Sequence, residues 1–359
     1  MDVAGYAWSP LIFLVVLGLN AVVPGRWVDG YVHDPATGKP LRYHLNGLFV
    51  FLLTVALWAL ACWRGLLAWD AFYVHRWQMV ASACVVGLLF TLAIVLPANK
   101  REGSNLFADL YLGRLDNPQW GGGRLDAKMY LYLIGATLLE LNLLSFAAHH
   151  LQTWPNDVSP GVLLYVGLFS FFLVEYLFFE QVHLYTYDFM AEKVGFKLGW
   201  GCLVFYPFFY GVGLWTQADK PNPHTHPALL ALIGVMFFAG WTLARGANLQ
   251  KFHFKRDRTR RFLGMTPRAI SDGQRHVLAS GFWGLSRHVN YLGELLMASA
   301  LTLSLGYPLS WQPWLYPLYY VVLLFPRQYQ DDQRCAKTYG PLWAEYVKQV
   351  RWRIIPFVY

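Results

Sequence analysis

The sequence predicts an all-α, polytopic membrane protein with roughly eight to ten transmembrane helices. Three observations carry that prediction. Of the 359 residues, 56% are hydrophobic and only 14% are charged, against about a quarter charged in ordinary soluble domains. Apolar runs recur that approach or reach the ~20 residues an α-helix needs to cross a bilayer. Those runs are unbroken, whereas a transmembrane β-barrel needs segments of about 10 residues alternating in polarity.

In order, the apolar runs cover residues 8–24, 48–63, 80–97, 129–147, 160–179, 196–215, 228–244, 291–305 and 311–325. The shorter ones call for tilted or re-entrant segments. The first lacks a basic n-region and a small-x-small cleavage site, so it reads as a helix rather than a signal peptide. Residues 30–42 ("GYVHDPATGKPLR") are Gly- and Pro-rich and read as a loop. Residues 102–126 form a longer interruption, irregular around Asn117–Pro118 and Gly121–Gly123. In the loop 218–227 ("ADKPNPHTHP"), His224 and His226 read as solvated, and no metal is expected. Pro207 should break or kink its helix just before Tyr210. Residues 327–359 read as one or more amphipathic helices with a polar cap. No long polar stretch remains for a separate soluble domain. The whole chain, 1–359, is therefore expected to form a single integral membrane domain. Its N-terminal helices occupy 1–217, and a C-terminal half, 228–359, builds a polar pocket.

The net charge of +8 is concentrated. Residues 251–275 ("KFHFKRDRTRRFLGMTPRAISDGQR") hold eight Lys or Arg against two Asp. Short basic loops stay on the cytoplasmic side, so this one and the pocket beside it are expected to face the cytoplasm. Attraction to anionic lipid is one use of such a loop; a phosphate-rich ligand is another. No soluble recognition module for nucleic acid is present. Cys62, Cys84, Cys202 and Cys335 are scattered, and no pair has metal-ligand spacing.

Ionisable groups at bilayer depth are costly and mark function or pairing. Glu180 and Asp188 sit eight residues apart and share a face if that segment stays helical. They are candidates for substrate contact or for structural bonding. The stretch "SRHVNYLGELL" (286–296) packs a cation, an imidazole, an amide, a phenol and a carboxylate at the mouth of an apolar segment. Helix-end capping and a ligand rim both account for it.

These segments together resemble the sterol reductase family, the membrane enzymes that reduce the Δ14, Δ7 or Δ24 double bonds of sterols, with the reductase half of the lamin B receptor. The resemblance rests on Trp283, Gly284, Arg287, His288, Asn290, Tyr291, Gly293 and Glu294, and on "DDQRCAKTYGPLWAEYVKQVRWRIIPFVY". It also rests on "EQVHLYTYDFMAEKVGF", "LRYHLNGL" and "GSNLFADLYLGRLDNP". Val289 stands where the family has Pro, Glu294 where it has Asp, and Lys255 where it usually has Arg.

The resemblance implies an NADPH pocket facing the cytoplasm, built from Asn248, Lys251, Lys255, Leu278, Trp283, Arg287, His288, Asn290, Tyr291, Asp331, Cys335 and Tyr339. It places Tyr210 near a sterol substrate and Asp331 on the pocket wall, which makes them the candidate catalytic pair. It also implies an integral membrane location, the endoplasmic reticulum in a eukaryote or the inner membrane in a bacterium. The chemistry needs such groups. An isolated alkene accepts hydride only as it gains cation character by protonation, so an acid must stay protonated in an apolar, water-excluding site. Two other readings share the polar C-terminal pocket: a membrane S-adenosylmethionine-dependent methyltransferase of the isoprenylcysteine carboxyl type, and a non-catalytic sterol-binding scaffold.

Overall fold

The computed structural model describes residues 3–100 and 103–359; Glu102, where the predicted interruption begins, lies outside them. The chain forms two compact units, residues 1–222 and 223–359.

In the first unit, α1 (Trp8–Val22) leads into an antiparallel hairpin of β1 (Arg26–His33) and β2 (Pro40–Leu45), followed by α2 (Gly47–Trp63). This hairpin corrects the loop expected over 30–42. Only the tip is a turn: the Asp34 carboxylate accepts the Ala36 N–H at 2.9 Å and the Thr37 hydroxyl at 3.0 Å. Gly38 closes the turn at φ +68, where a side chain is disfavoured. Pro40 sits at the strand start, a position that proline tolerates.

Next come α3 (Ala71–Val74), α4 (Arg76–Val95), α5 (Leu106–Leu112) and the short strands β3 (Gln119–Trp120) and β4 (Leu125–Asp126). The long α6 (Ala127–Thr153) starts where the Asp126 side chain accepts the Lys128 and Met129 N–H groups, an N-cap. Beyond α7 (Pro160–Phe178) lie α8 (Glu180–His183), α9 (Tyr187–Ala191), α10 (Phe196–Trp200), a π-helical stretch (Gly201–Phe209) and α11 (Val212–Gln217). Leu138, Leu139, Leu143 and Phe146 of α6 are fully buried and make α6 the spine of this unit.

The second unit contains α12 (Pro227–Arg256), the hairpin β5 (Ala269–Ser271) with β6 (His276–Leu278), α13 (Phe282–Leu285), α14 (Val289–Ser304), α15 (Trp311–Tyr339) and α16 (Pro341–Gln349). The His226 side chain accepts the Ala228 N–H and caps α12. Helices α12 and α14 cross at glycines: a Cβ added at Gly240 would stand 2.7 Å from the Gly293 carbonyl oxygen. Only backbones without side chains approach so closely. Gly340 (φ +56) ends α15, and Pro341 opens α16, the Gly-stop and Pro-start pairing of helix ends. The amphipathic tail expected over 327–359 is thus the end of α15 followed by α16.

The protein is mostly helical. Among the described residues, six helices are long and apolar enough to cross a membrane: Ala4–Val22, Arg76–Val95, Ala127–Thr153, Pro160–Phe178, Phe196–Gln217 and Pro227–Arg256. Gly47–Trp63 is a shorter apolar helix. The apolar runs 291–305 and 311–325 fall in α14 and in the first half of α15.

Candidate functional site

In the second unit, α12 and α15 each present residues one turn apart. Lys251 and Lys255 share a face of α12, and Asp331 and Cys335 share a face of α15. Asp331 and Cys335 lie within electrostatic reach of both lysines. Trp283 of α13 closes this group. Its indole N–H donates to the Ala247 carbonyl at 2.8 Å, and the Lys251 ammonium stands 4.9 Å over its ring, a cation–π contact. The Tyr346 hydroxyl donates to the Trp283 carbonyl at 2.8 Å and fixes the far side. Burial, reinforced by the Asp331 charge, pushes the Cys335 thiol up to about 12. That shift favours the neutral thiol at Cys335.

A second group forms around the "SRHVNY" turn. Arg287 Nη1 donates to Asp332 Oδ2 at 2.9 Å, and His288 Nε2 lies 3.5 Å from Asp332 Oδ1. The His288 ring stacks on Tyr291, 5.0 Å between centroids and 16° from parallel. The backbone is held as firmly: Arg287 N–H donates to the Trp352 carbonyl at 2.9 Å and His288 N–H to that of Arg353 at 2.7 Å. The Ser286 hydroxyl donates to Ile354 at 2.9 Å. Burial pulls the Arg287 guanidinium below its ordinary value, and Asp332 opposes that shift. Leu278 is buried on β6. Tyr339 stacks on Trp343 at 6.4 Å. Asn248 lies on α12 beside Ala247, the acceptor of the Trp283 bond.

Asp332 is the residue that sequence reasoning missed. It adjoins Asp331, but adjacent helical residues point about 100° apart. Asp331 therefore turns to the lysines and Asp332 to Arg287. The doubled acid in "DDQR" was the available signal.

These residues fit a polar ligand. Two buried side-chain atoms on this turn, Arg287 Nε and Asn290 Oδ1, have no hydrogen-bond partner within the protein, and His288 Nε2 and Asp332 Oδ1 have only the loose 3.5 Å contact with each other. Such atoms are rare in folded proteins and call for a water, an ion or a ligand. They supply both donors and acceptors, which suits a ligand carrying hydroxyl and amide groups. The two lysines suit an anionic group.

In the first unit, Tyr210 directly follows the π-helical stretch that contains Pro207. The sequence predicted a break or kink there; the chain instead widens into π winding, a feature frequent at functional sites. The proline lacks an N–H, and the buried Asn142 of α6 donates to the Pro207 carbonyl at 2.9 Å. Tyr210 packs 4.7 Å from Tyr206, and its carbonyl accepts the Tyr165 hydroxyl at 3.4 Å.

Glu180 and Asp188 do not share a helical face, which corrects the sequence reading. The chain breaks between α8 and α9, where the Thr186 hydroxyl bonds the His183 carbonyl at 2.7 Å, a local bond that competes with helix. Lys128 collects the carbonyls of Asp188 at 2.8 Å and Glu192 at 2.7 Å. Glu180 is buried against Gly47, whose N–H it accepts, and a Cβ at Gly47 would collide with its carboxylate. Burial pushes the Glu180 carboxyl up to about 8, against the smaller opposing effects of the Gly47 N–H and Arg26.

That shift has a sign. The folded protein holds the Glu180 proton more tightly than the unfolded chain does, so stability falls as pH rises from about 4.5 to about 8. In Glu180→Gln, the decline of thermal stability across that window should flatten, as a pH series of melting curves in detergent reads directly. An unchanged slope would mean that Glu180 titrates normally.

The sequence profile of the Ergosterol biosynthesis ERG4/ERG24 family matches residues 5–359. The chain is 30% identical to a Delta(14)-sterol reductase of Arabidopsis thaliana over 358 residues, covering 97% of this chain and 94% of the relative. It is 32% identical to a Delta(14)-sterol reductase of Methylotuvimicrobium alcaliphilum over 360 residues, covering 97% and 81%. A probable 7-dehydrocholesterol reductase of Acanthamoeba polyphaga mimivirus is 27% identical over 378 residues, covering 100% and 83%.

Proposed function

Because the chain belongs to the ergosterol biosynthesis ERG4/ERG24 family, we propose that it is a membrane oxidoreductase that reduces a carbon–carbon double bond of a sterol with NADPH. The Δ14 bond is the first candidate, since the relatives from Arabidopsis thaliana and Methylotuvimicrobium alcaliphilum are both named for it. The observation that carries the cofactor reading is the pair of buried polar atoms left without a hydrogen-bond partner on one turn, Arg287 Nε and Asn290 Oδ1.

Lys251 and Lys255 hold the phosphates in this reading, and Asn248 lies on the same helix. Trp283, Leu278 and Tyr291 provide apolar and aromatic surface. Asn290 and His288 take the amide or ribose groups, and Cys335 and Tyr339 complete the wall. Bound NADPH supplies the hydride. The remaining work belongs to the chain. Tyr210 is the proton donor to the alkene, a phenol that is protonated at neutral pH. Asp331 orients or relays the proton. Aromatic faces steady the positive charge that develops on the sterol carbon. In this reading the basic segment after α12 faces the cytoplasm.

The test uses detergent-purified protein, NADPH and a panel of sterols unsaturated at Δ14, Δ7 or Δ24, with products read by mass spectrometry. The expected result is an NADPH-dependent gain of two hydrogens in the Δ14 sterol. A gain in another sterol alone would move the regiochemistry. No gain in any sterol, with S-adenosylmethionine bound instead, would overturn the reductase reading.

A further inference from the structure

Just beyond α12, at 262–265, the chain makes a tight turn. Phe262 N–H donates to the Met265 carbonyl at 3.1 Å, and Met265 N–H donates back at 2.9 Å. The two residues between them, Leu263 (φ 48) and Gly264 (φ 75), both have positive φ, as a two-residue turn with right-handed strand twist requires. Glycine meets that demand freely, whereas a leucine there is a true outlier. The side chain placed at this cost is exposed: Leu263 is 73% accessible.

The turn is braced so that its tip points outward. The Phe262 ring packs 5.7 Å from His253 of α12 and 6.3 Å from Phe282 of α13. The next residue is thereby held away from the protein. Arg258, Arg260, Arg261 and Arg268 flank the tip and are all exposed. The nearby acid, Asp257, is already engaged, accepting the Thr259 N–H at 2.9 Å and its hydroxyl at 2.7 Å. An exposed apolar tip flanked along the chain by exposed arginines matches the cross-section of an anionic bilayer surface, phosphates outside and acyl chains beneath. The turn begins within seven residues of Arg256, the last residue of a helix long and apolar enough to cross the membrane.

We propose that residues 258–268 form a lipid-anchoring turn, in which Leu263 enters the acyl region while the flanking arginines bind phosphates of anionic phospholipid. The inference rests on α12 crossing the bilayer and is independent of the reductase chemistry. Two features separate it from a plain basic loop: the insertion has one named tip, and it depends on anionic lipid. Each arginine phosphate contact is an exposed ion pair and is screened by salt.

The full chain is reconstituted in nanodiscs of phosphatidylcholine, with or without phosphatidylglycerol. Leu263→Cys carries an environment-sensitive fluorophore, and wild-type protein labelled in the same way provides the background from the native cysteines. In anionic discs the probe emission should shift to the blue and be quenched by nitroxide lipid. Both effects should weaken in high salt, and both should be lost when Arg258, Arg260 and Arg261 are replaced by Ala. Emission of a water-exposed probe in both disc types would overturn the proposal. So would an equal shift in both disc types that survives the arginine replacement. A third arm adds NADPH to lipid-free protein in detergent. A shift there, without one in anionic discs, would assign the turn to dinucleotide phosphate instead and also overturn the proposal.

Discussion

Tyr210→Phe is expected to lower single-turnover sterol reduction by about 100-fold or more, the usual contribution of a positioned general acid. The substitution removes only the hydroxyl. The ring contacts with Tyr206 at 4.7 Å and Phe205 at 6.4 Å remain available to phenylalanine, so thermal stability and NADPH affinity should be unchanged. Tyr206→Phe is the matched control: it deletes a hydroxyl on the neighbouring ring and should leave turnover within a few-fold of wild type. Near-full turnover in Tyr210→Phe would make Tyr210 a packing residue and send the search for the acid to Asp331. There Asp331→Asn, assayed in the same way, reads the second candidate by itself.

The second large effect concerns stability. Asp332→Asn should destabilise the protein by roughly 3 kcal/mol or more, because it leaves the Arg287 guanidinium buried without its charge partner. The side chains are only 6% and 13% exposed, so solvent does little to screen the loss. Pairing Asp332→Leu with Arg287→Met should recover much of that stability, since apolar groups of similar size often replace a buried pair at little cost. Thermal denaturation in detergent measures both variants. NADPH binding separates the roles: the double variant should fold and still bind the cofactor poorly. Retained affinity in the double variant would place the pair outside the cofactor site and leave it a purely structural link.

Lys251, Lys255, Asp331 and Cys335 were named through the resemblance to the sterol reductases; in the structure each pair stands four apart on one helix face. The apolar runs marked the helices because the bilayer thickness fixes their length. What stayed hidden depends on contacts between distant segments. Asp332 finds Arg287 across 45 positions. Lys128 looks like the polar flank of an apolar run, yet its ammonium is buried among carbonyls about 60 residues away. The hairpin over 26–45 hid behind glycine and proline, because strand pairing is set by the partner strand rather than by local preference. Glu180 and Asp188 were misplaced because a single threonine hydroxyl at 186 was enough to compete with the helix between them.

The way the "SRHVNY" turn is held also bears on biosynthesis. The partners of Ser286, Arg287 and His288 all lie downstream, at Asp332 and at the carbonyls of Arg351, Trp352, Arg353 and Ile354. A ribosome therefore releases this cation before any group that neutralises it, and the first unit, complete by residue 222, can be packed well beforehand. The turn is braced only once residues 332 to 354 have been made. A ribosome stalled before residue 332 leaves a membrane-inserted chain with a finished helical unit and an arginine without its charge partner, the kind of half-made product that quality control recognises.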